Sequence, residues 1–204
     1  MPLYTKISSP HFEIALWRIE EELSFFEQKF NAQPDIKNEA RRLQWYASRH
    51  LVTEMLGSSP TVIKNAAGKP LLKNSSHHIS LSHTIQFAAA MVSEHLAVGI
   101  DLESVNPKVE RIAHKFLRED EISSIEPDEK IGKLILYWSA KEALYKLHGK
   151  EGIEFTTQLL IEPFELKPSG VLNAEIAGIE EPLKGLKINY EFFEGHVLTY
   201  VVAG

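Results

Sequence analysis

Apolar and polar positions along the chain follow two different periods, which predicts a mixture of helices and strands. The first long helical pattern runs from Asn38 to Leu56, where Asn38 is a candidate N-cap and Gly57 follows the end. The apolar side of this helix repeats every four residues, at Leu43, Ala47, Leu51 and Met55. The clearest helix is predicted over residues 128–148, and Gly149 closes it.

The rest of the chain indicates strands with shorter helices between them. The predicted elements are a strand at His11–Ile19 followed by a helix to about Phe30, a strand pair at Phe87–Val92 and Leu96–Glu103 joined by a short turn, a helix opened by Pro107, and tail strands at Leu159–Leu166, Leu186–Phe193 and His196–Val202. One helix-and-strand half is thus followed by another. The predicted fold class is therefore α+β, with an N-terminal lobe at residues 1–98 and a C-terminal lobe at residues 99–204.

Composition excludes several classes of protein. Of the 204 residues, 44% are apolar and 25% are charged, a mixture typical of a globular domain. The absence of cysteine excludes disulfides and thiolate metal sites and agrees with a reducing compartment. Residues 1–10 lack the pattern of a signal peptide and no apolar run reaches the length of a membrane span, so we expect a cytoplasmic protein that binds no membrane. The net charge of −6 argues against a nucleic-acid partner, so an anion site must be a local basic patch.

Two carboxylates share one face of the predicted strand around residue 100. Asp101 and Glu103 are two positions apart, so their side chains point the same way, roughly 6–7 Å from each other. Their mutual repulsion requires solvent, a basic residue or a cation. Oxygen ligands of this kind suit a hard divalent ion. The plain alternative is a solvated strand end, which the pair taken alone favours.

A third carboxylate lies on the clearest helix. Glu142 continues the apolar stripe of Ile135 and Trp138, where a charge is costly unless it is paired or bound to a metal. Lys146 follows one turn later. The alternative is an ordinary Glu–Lys pair on a helix surface. That alternative explains an exposed pair better than it explains a pair on the stripe of Trp138.

Basic and hydroxyl groups suited to phosphate oxygens occur in three segments of the first half. The segments are the basic positions Lys37, Arg41, Arg42, Arg49 and His50, the turn Gly68-Lys69-Pro70, and Ser80–His83 at a predicted strand end. Each segment alone is also explained by solubility or a simple turn. His77, His78 and His83 lack the cysteine neighbours and helical spacing that favour a transition-metal site.

Taken in order, these residues resemble the 4'-phosphopantetheinyl transferase superfamily, of the larger surfactin-synthetase-activating type. The resemblance covers about Gly68 to Gly152 and is carried by Gly68–Pro70, Ile79–His83, Val98–Glu103, Lys115–Glu121 and Trp138–Lys146. The G-I-D-x-E pattern alone has little specificity. Its combination with W-x-x-K-E-x-x-x-K about forty residues later is specific. Ser80 departs from the pattern, since the family often has Asn there.

The resemblance implies a pseudo-dimeric fold of two similar α+β lobes with coenzyme A between them. It implies Mg²⁺ ligands at Asp101, Glu103 and Glu142, and a catalytic lysine near the bridging phosphate at Lys146. It implies coenzyme A contacts at Gly68, Lys69, Pro70, Ser82 and His83, with Arg41 and Arg42 as interchangeable candidates for a further phosphate contact. Glu142 is also the candidate catalytic base, so its role as ligand, base or both stays open.

The implied activity is Mg²⁺-dependent transfer of phosphopantetheine from coenzyme A to a serine of an apo acyl or peptidyl carrier protein. The products are holo carrier protein and adenosine 3',5'-bisphosphate, and the chain is expected to act as a monomer. Two alternatives stay open: a non-catalytic relative that binds coenzyme A or a carrier, and an unrelated Mg²⁺-dependent phosphohydrolase that uses Asp101 and Glu103. Fatty-acid, polyketide and peptide-synthetase carriers are equally open.

Overall fold

The computed structural model describes residues 3–30 and 33–204, and it contains helices and sheets in both halves of the chain. The described residues of the first half form β1 (Leu3–Ser8), β2 (Glu13–Arg18), α1 (Leu23–Glu27), α2 (Glu39–Leu56), β3 (Val62–Lys64), β4 (Pro70–Leu72), β5 (His78–His83) and β6 (Phe87–Ser93). Four of these strands form an antiparallel sheet in the order β1-β2-β6-β5, while β3 and β4 form a separate ribbon. The expectation of no signal peptide concerns residues 1–10, of which Met1 and Pro2 lie outside the described residues.

The second half forms a larger sheet. Its elements are β7 (Ala97–Ser104), a 3₁₀ helix (Pro107–Lys115), α3 (Glu119–Ser123), α4 (Lys130–His148), β8 (Leu159–Ile161), β9 (Ser169–Ile176), β10 (Leu183–Phe193) and β11 (His196–Ala203). The strands are antiparallel in the order β7-β11-β10-β9-β8. The α+β class is therefore confirmed. The predicted boundary between residues 98 and 99 falls inside β7, and the likeness of the two halves to each other stays a prediction.

Both long helices begin and end close to their predicted limits. Asn38 caps α2, because its side-chain oxygen accepts a hydrogen bond from the Arg41 amide at 2.9 Å. Gly57 and Gly149 follow α2 and α4 with left-handed φ angles of 63° and 66°, which glycine adopts without strain. Local sequence signals thus determine where these two helices stop.

The two strands predicted at residues 87–92 and 96–103 are present, but the prediction that they pair with each other is wrong. β6 pairs with β2 and β5, whereas β7 pairs with β11, so the turn between them carries the chain from one sheet to the other. Along the edge of β7 that faces β5, side-chain hydroxyl groups of β5 accept hydrogen bonds from β7 amides in place of the backbone carbonyl groups of a paired strand. The amides of Ile100 and Leu102 donate to the Oγ atoms of Ser80 and Ser82, at 3.0 and 3.1 Å.

The two sheets share a buried apolar layer. Side chains from β2 and β6 pack against side chains from β7 and β11 in one core cluster, which includes Ile14, Leu16, Met91, Ile100, Leu102 and Leu198. β7 therefore has one edge in its own sheet and one edge against β5. This position places the carboxylates of β7 at the junction between the two halves.

Candidate active site

Three predicted carboxylates are brought together where α4 lies on β7. Asp101 and Glu103 leave the same face of the strand because they are two residues apart. Glu142 reaches them from α4. Burial, followed by the negative charges of Asp101 and Glu103, raises the pKa of Glu142 to about 7. The site thus concentrates negative charge in a desolvated place.

Gly99 allows this close approach of helix and strand. A Cβ atom at Gly99 would lie 2.0 Å from the carbonyl oxygen of Ala143 and 2.8 Å from the amide nitrogen of Leu147. Both contacts are with the backbone of α4, which cannot rotate away as a side chain can. This role of Gly99 follows from the packing of α4 on β7 and not from its sequence motif. Its structural role is to let the helix that carries Glu142 lie directly on the strand that carries Asp101.

Lys146 supplies positive charge at the carboxylates. Its Nζ donates to Asp101 Oδ1 at 2.7 Å and to Ser82 Oγ at 3.0 Å, and the Ser82 hydroxyl donates to the same Asp101 oxygen at 3.0 Å. Asp101 is only 3% exposed, and among the described residues its other oxygen, Oδ2, has no hydrogen-bond partner. One acidic oxygen is thus buried and unsatisfied.

Glu103 is oriented by a tryptophan of α4. The indole Nε1 of Trp138 donates to Glu103 Oε1 at 2.9 Å. Burial, followed by the charge of Asp101, raises the pKa of Glu103 to about 7 despite this hydrogen bond. The Trp138 ring packs between Phe116 and Phe155, with ring centroids 5.1 and 5.7 Å away.

Lys141 supports this aromatic arrangement from inside the protein. Its fully buried ammonium donates to the carbonyl oxygens of Phe116 and Phe155, at 2.6 and 3.0 Å, and to the buried Glu121 carboxylate at 2.7 Å. The two lysines of the W-x-x-K-E-x-x-x-K motif therefore differ in location. Lys141 ties loops to α4, whereas Lys146 faces the acidic cluster.

The donor set at this cluster fits a divalent cation. A buried Asp101 oxygen lacks a partner among the described residues, and burial together with the charge of Asp101 raises the pKa of the two neighbouring carboxyl groups. Hard divalent ions prefer such oxygen ligands. Across residues 3–30 and 33–204, however, no three His, Cys, Asp or Glu side chains already form a metal-binding group. The Mg²⁺ site at Asp101, Glu103 and Glu142 stays a prediction.

A cavity of about 290 Å³ opens beside the acidic cluster and is lined by both halves of the chain. The predicted site residues that line it are Gly68, Lys69, Pro70, His83, Glu142 and Lys146. Ser82 and Asp101 lie immediately behind the wall, in contact with Lys146. Residues distant in sequence thus converge on one space.

Arg41 and Arg42 do not line this cavity. Arg41 is exposed in the first turn of α2, and Arg42 Nε lies 3.8 Å from a carboxylate oxygen of Glu27 on α1. The neighbour of Arg42 is therefore α1 and not the cavity. The sequence left these two arginines interchangeable, and the structure brings neither of them to the predicted coenzyme A contacts.

Arg49, two turns further along α2, lines the cavity instead. Its guanidinium lies over the Trp45 ring, 3.9 Å from the centroid, and its Nη1 donates to the Trp45 carbonyl oxygen at 3.2 Å. Burial lowers the pKa of Arg49 to about 10. Within the described ranges no carboxylate pairs with Arg49, and its buried Nε has no hydrogen-bond partner. The sequence placed Arg49 in the basic cluster but did not select it.

Arg49 is close to two other basic groups of the cavity. Desolvation lowers the pKa of the His83 imidazole, and the positive charges of Lys146 and Arg49 lower it further. The three side chains come from α2, β5 and α4. An anion bound among them would relieve their mutual repulsion.

Known proteins resemble the chain over part of its length. A model described as the 4'-phosphopantetheinyl transferase superfamily matches residues 97–201, which include β7, α4 and β11. The 4'-phosphopantetheinyl transferase AcpT of Escherichia coli is 27% identical over 115 residues, or 53% of this chain and 59% of the relative. The 4'-phosphopantetheinyl transferase HetI of a Nostoc species is 31% identical over 138 residues, or 62% of this chain and 58% of the relative. The chain thus spans less than two thirds of the length of either relative. None of the helices in the described ranges has the length and apolar character that a membrane crossing requires.

Proposed function

Because the chain belongs to the 4'-phosphopantetheinyl transferase superfamily, we propose that it transfers 4'-phosphopantetheine from coenzyme A to a serine of an apo acyl or peptidyl carrier protein. The products are the holo carrier protein and adenosine 3',5'-bisphosphate. The single observation that carries the proposal is the division of charge around one cavity. Basic groups of both halves line the cavity, and three carboxylates cluster beside Lys146.

Coenzyme A carries the negative charges that would balance the basic groups of this cavity. Its 3'-phosphate and pyrophosphate are anionic, and Arg49 has no carboxylate partner among the described residues. Guanidinium groups bind phosphate oxygens through charge-assisted hydrogen bonds. We therefore assign phosphate binding to Arg49, together with His83 and Lys146. The turn Gly68–Pro70 forms the wall beside them.

The acidic cluster meets the other requirement of the reaction. Asp101, Glu103 and Glu142 would hold a Mg²⁺ ion, which supplies positive charge that neutralises the pyrophosphate. The unpartnered Oδ2 of Asp101 supports this assignment.

The residues of this chain support a direct displacement at phosphorus. The carrier serine oxygen bonds to the β-phosphorus of coenzyme A, and the bond from that phosphorus to the bridging oxygen breaks. Lys146 stabilises the charge that develops on the departing adenosine 3',5'-bisphosphate. We assign the serine proton to Glu142, because its carboxylate lines the cavity beside Lys146.

The experiment is intact-mass spectrometry of several apo-carriers after incubation with the protein, Mg²⁺ and coenzyme A. Transfer adds the phosphopantetheine mass to the carrier serine. A hydrolase consumes coenzyme A without modifying the carrier, and a binding protein changes neither.

We further propose that the chain acts in the cytoplasm. We also propose that it acts as a monomer, because residues from both halves of one chain line the cavity.

A further inference from the structure

Lys69 makes a contact that a ligand-binding role does not explain. Its Nζ donates to the carbonyl oxygen of Leu147 at 2.8 Å, in the last turn of α4. The final carbonyl groups of a helix lack intrahelical partners and attract positive charge. Burial lowers the pKa of Lys69, and within the described residues no carboxylate pairs with it. The end of α4 is thus the electrostatic partner of this ammonium.

A second contact links the same turn to the same helix end. The Asn65 side-chain amide donates to the carbonyl oxygen of Gly149 at 3.1 Å. The other end of that side chain accepts from the Lys69 amide at 2.8 Å. Asn65 and Lys69 therefore bind both the final turn of α4 and the residue that ends it. We name these four residues, Asn65, Lys69, Leu147 and Gly149, the clasp.

Gly149 provides the space for the clasp. A Cβ atom there would lie 2.3 Å from Lys69 Cδ and 3.1 Å from Lys69 Nζ. The lysine side chain thus crosses the place that any other residue would fill. Its path is determined by α4 before any ligand binds.

We propose that Lys69 is a positioning residue that acts through the end of α4, and that it is not the side chain that recognises the 3'-phosphate of coenzyme A. The clasp joins the first half of the chain to the helix that carries Glu142 and Lys146. It fixes the distance across the cavity between these residues and Arg49. The effect of the clasp on coenzyme A binding rests on the proposed function, whereas the contacts that form the clasp do not.

The test compares Lys69→Met with Arg49→Met in the full chain. For each variant, the melting temperature is measured without ligand, and the affinities for coenzyme A and dephospho-coenzyme A are measured by calorimetry. Lys69→Met keeps an apolar chain of similar length but removes the ammonium from α4. We expect its ligand-free melting temperature to fall by roughly 2–4 °C. We expect both affinities to fall by the same factor, so that their ratio stays within about twofold of the wild-type ratio.

Arg49→Met is the matched control, because it removes a cavity cation that has no carboxylate partner in the described residues. We expect it to leave the ligand-free melting temperature unchanged or higher, to weaken coenzyme A binding by roughly 10- to 100-fold, and to bring the two affinities close together. Lys69→Met would overturn the proposal if it removed the preference for coenzyme A, or if it left the ligand-free melting temperature unchanged.

A double-variant cycle tests the clasp without any ligand. Gly149→Ala should lower the melting temperature through its positive φ and through the contact with Lys69. In a Lys69→Ala background the second cause is absent. The fall in melting temperature of the double variant should therefore be smaller than the sum of the falls in the two single variants. Additive losses would contradict the clasp. Failure of the wild type to bind coenzyme A would refute the proposed function and leave this result standing.

Discussion

The two sides of the cavity differ in how their charges are balanced. On the side of β7 and α4, three carboxylates crowd around Lys146, and burial with mutual repulsion raises the pKa of Glu103 and of Glu142 to about 7. On the side of α2, Arg49 lies over Trp45, and no carboxylate of the described residues pairs with it. The acidic side needs a cation and the basic side needs an anion. A phosphate ester bound with a divalent ion, as proposed above, would meet both needs at once.

The largest expected effect comes from the acidic side. Glu142→Gln keeps the shape of the side chain but removes its charge and basicity, so phosphopantetheine transfer should fall on the order of 10³-fold or more. The ligand-free melting temperature should not fall, because one of three repelling carboxylates is removed. Carrier modification and thermal melting measure the two effects. Glu151→Gln, an exposed position, is the matched control and should change neither. Transfer by Glu142→Gln at the wild-type rate would reduce Glu142 to a helix-surface glutamate.

A single added methyl group should disturb the packing of the acidic side without altering any charge. Gly99→Ala places a Cβ atom against the Ala143 carbonyl oxygen, so α4 must move away from β7. We expect a loss of about 1–3 kcal/mol in the free energy of unfolding, together with a fall in transfer activity. Denaturant melts and transfer assays measure these losses. Gly132→Ala lies on the same helix, but its new Cβ meets only the flexible end of Leu166 and should be tolerated better. Equal losses for the two variants would refute the role given to Gly99.

A comparison of three arginines along α2 tests which of them binds the phosphate groups of coenzyme A. Arg41→Gln and Arg42→Gln should change coenzyme A affinity by less than about twofold, because neither side chain lines the cavity. Arg49→Gln should weaken binding by roughly 10-fold or more. Calorimetric titrations of the three variants measure this order. A loss at Arg42 as large as that at Arg49 would show that α2 presents a different face to the ligand.

The smallest expected effect lies outside the cavity, on the same helix. His50 is buried against Trp17 and Phe26, and burial lowers its pKa below the ordinary value of a histidine side chain. Below about pH 6.5 the unfolded chain therefore takes up a proton that the folded chain resists, and stability falls towards the lower folded pKa. His50→Gln should flatten this slope in melts between pH 5 and pH 8. His95→Gln, which is highly exposed, should leave it unchanged. An unchanged slope in His50→Gln would assign the pH dependence to other groups.

The acidic side was more predictable from sequence than the basic side, for a geometric reason. Strand alternation puts Asp101 and Glu103 on one face, and the helical period puts Glu142 on the stripe of Trp138. Short-range geometry thus makes all three candidates, and the family resemblance selects them. The choice of Arg49 over Arg42 depends on where α1 and the cavity lie, which the helical period cannot give.

The fold likewise has features that local sequence signals predict and features that depend on tertiary packing. The helix ends at Gly57 and Gly149 follow from local signals. The separation of β6 from β7 does not, because the edge of β7 is completed by hydroxyl groups of β5 that lie about twenty residues away in sequence. The contact between Gly99 and Ala143 is likewise invisible until strand and helix are packed together.

The central claim is transfer of phosphopantetheine to a carrier serine, and intact-mass spectrometry of an apo-carrier tests it most directly. Wild-type protein with Mg²⁺ and coenzyme A should add one phosphopantetheine group to the carrier. Replacement of the acceptor serine by alanine, or Glu142→Gln in the enzyme, should abolish the mass gain. If no carrier from fatty-acid, polyketide or peptide-synthetase systems gains mass, while coenzyme A is bound or hydrolysed, the account of this site as a transferase is contradicted.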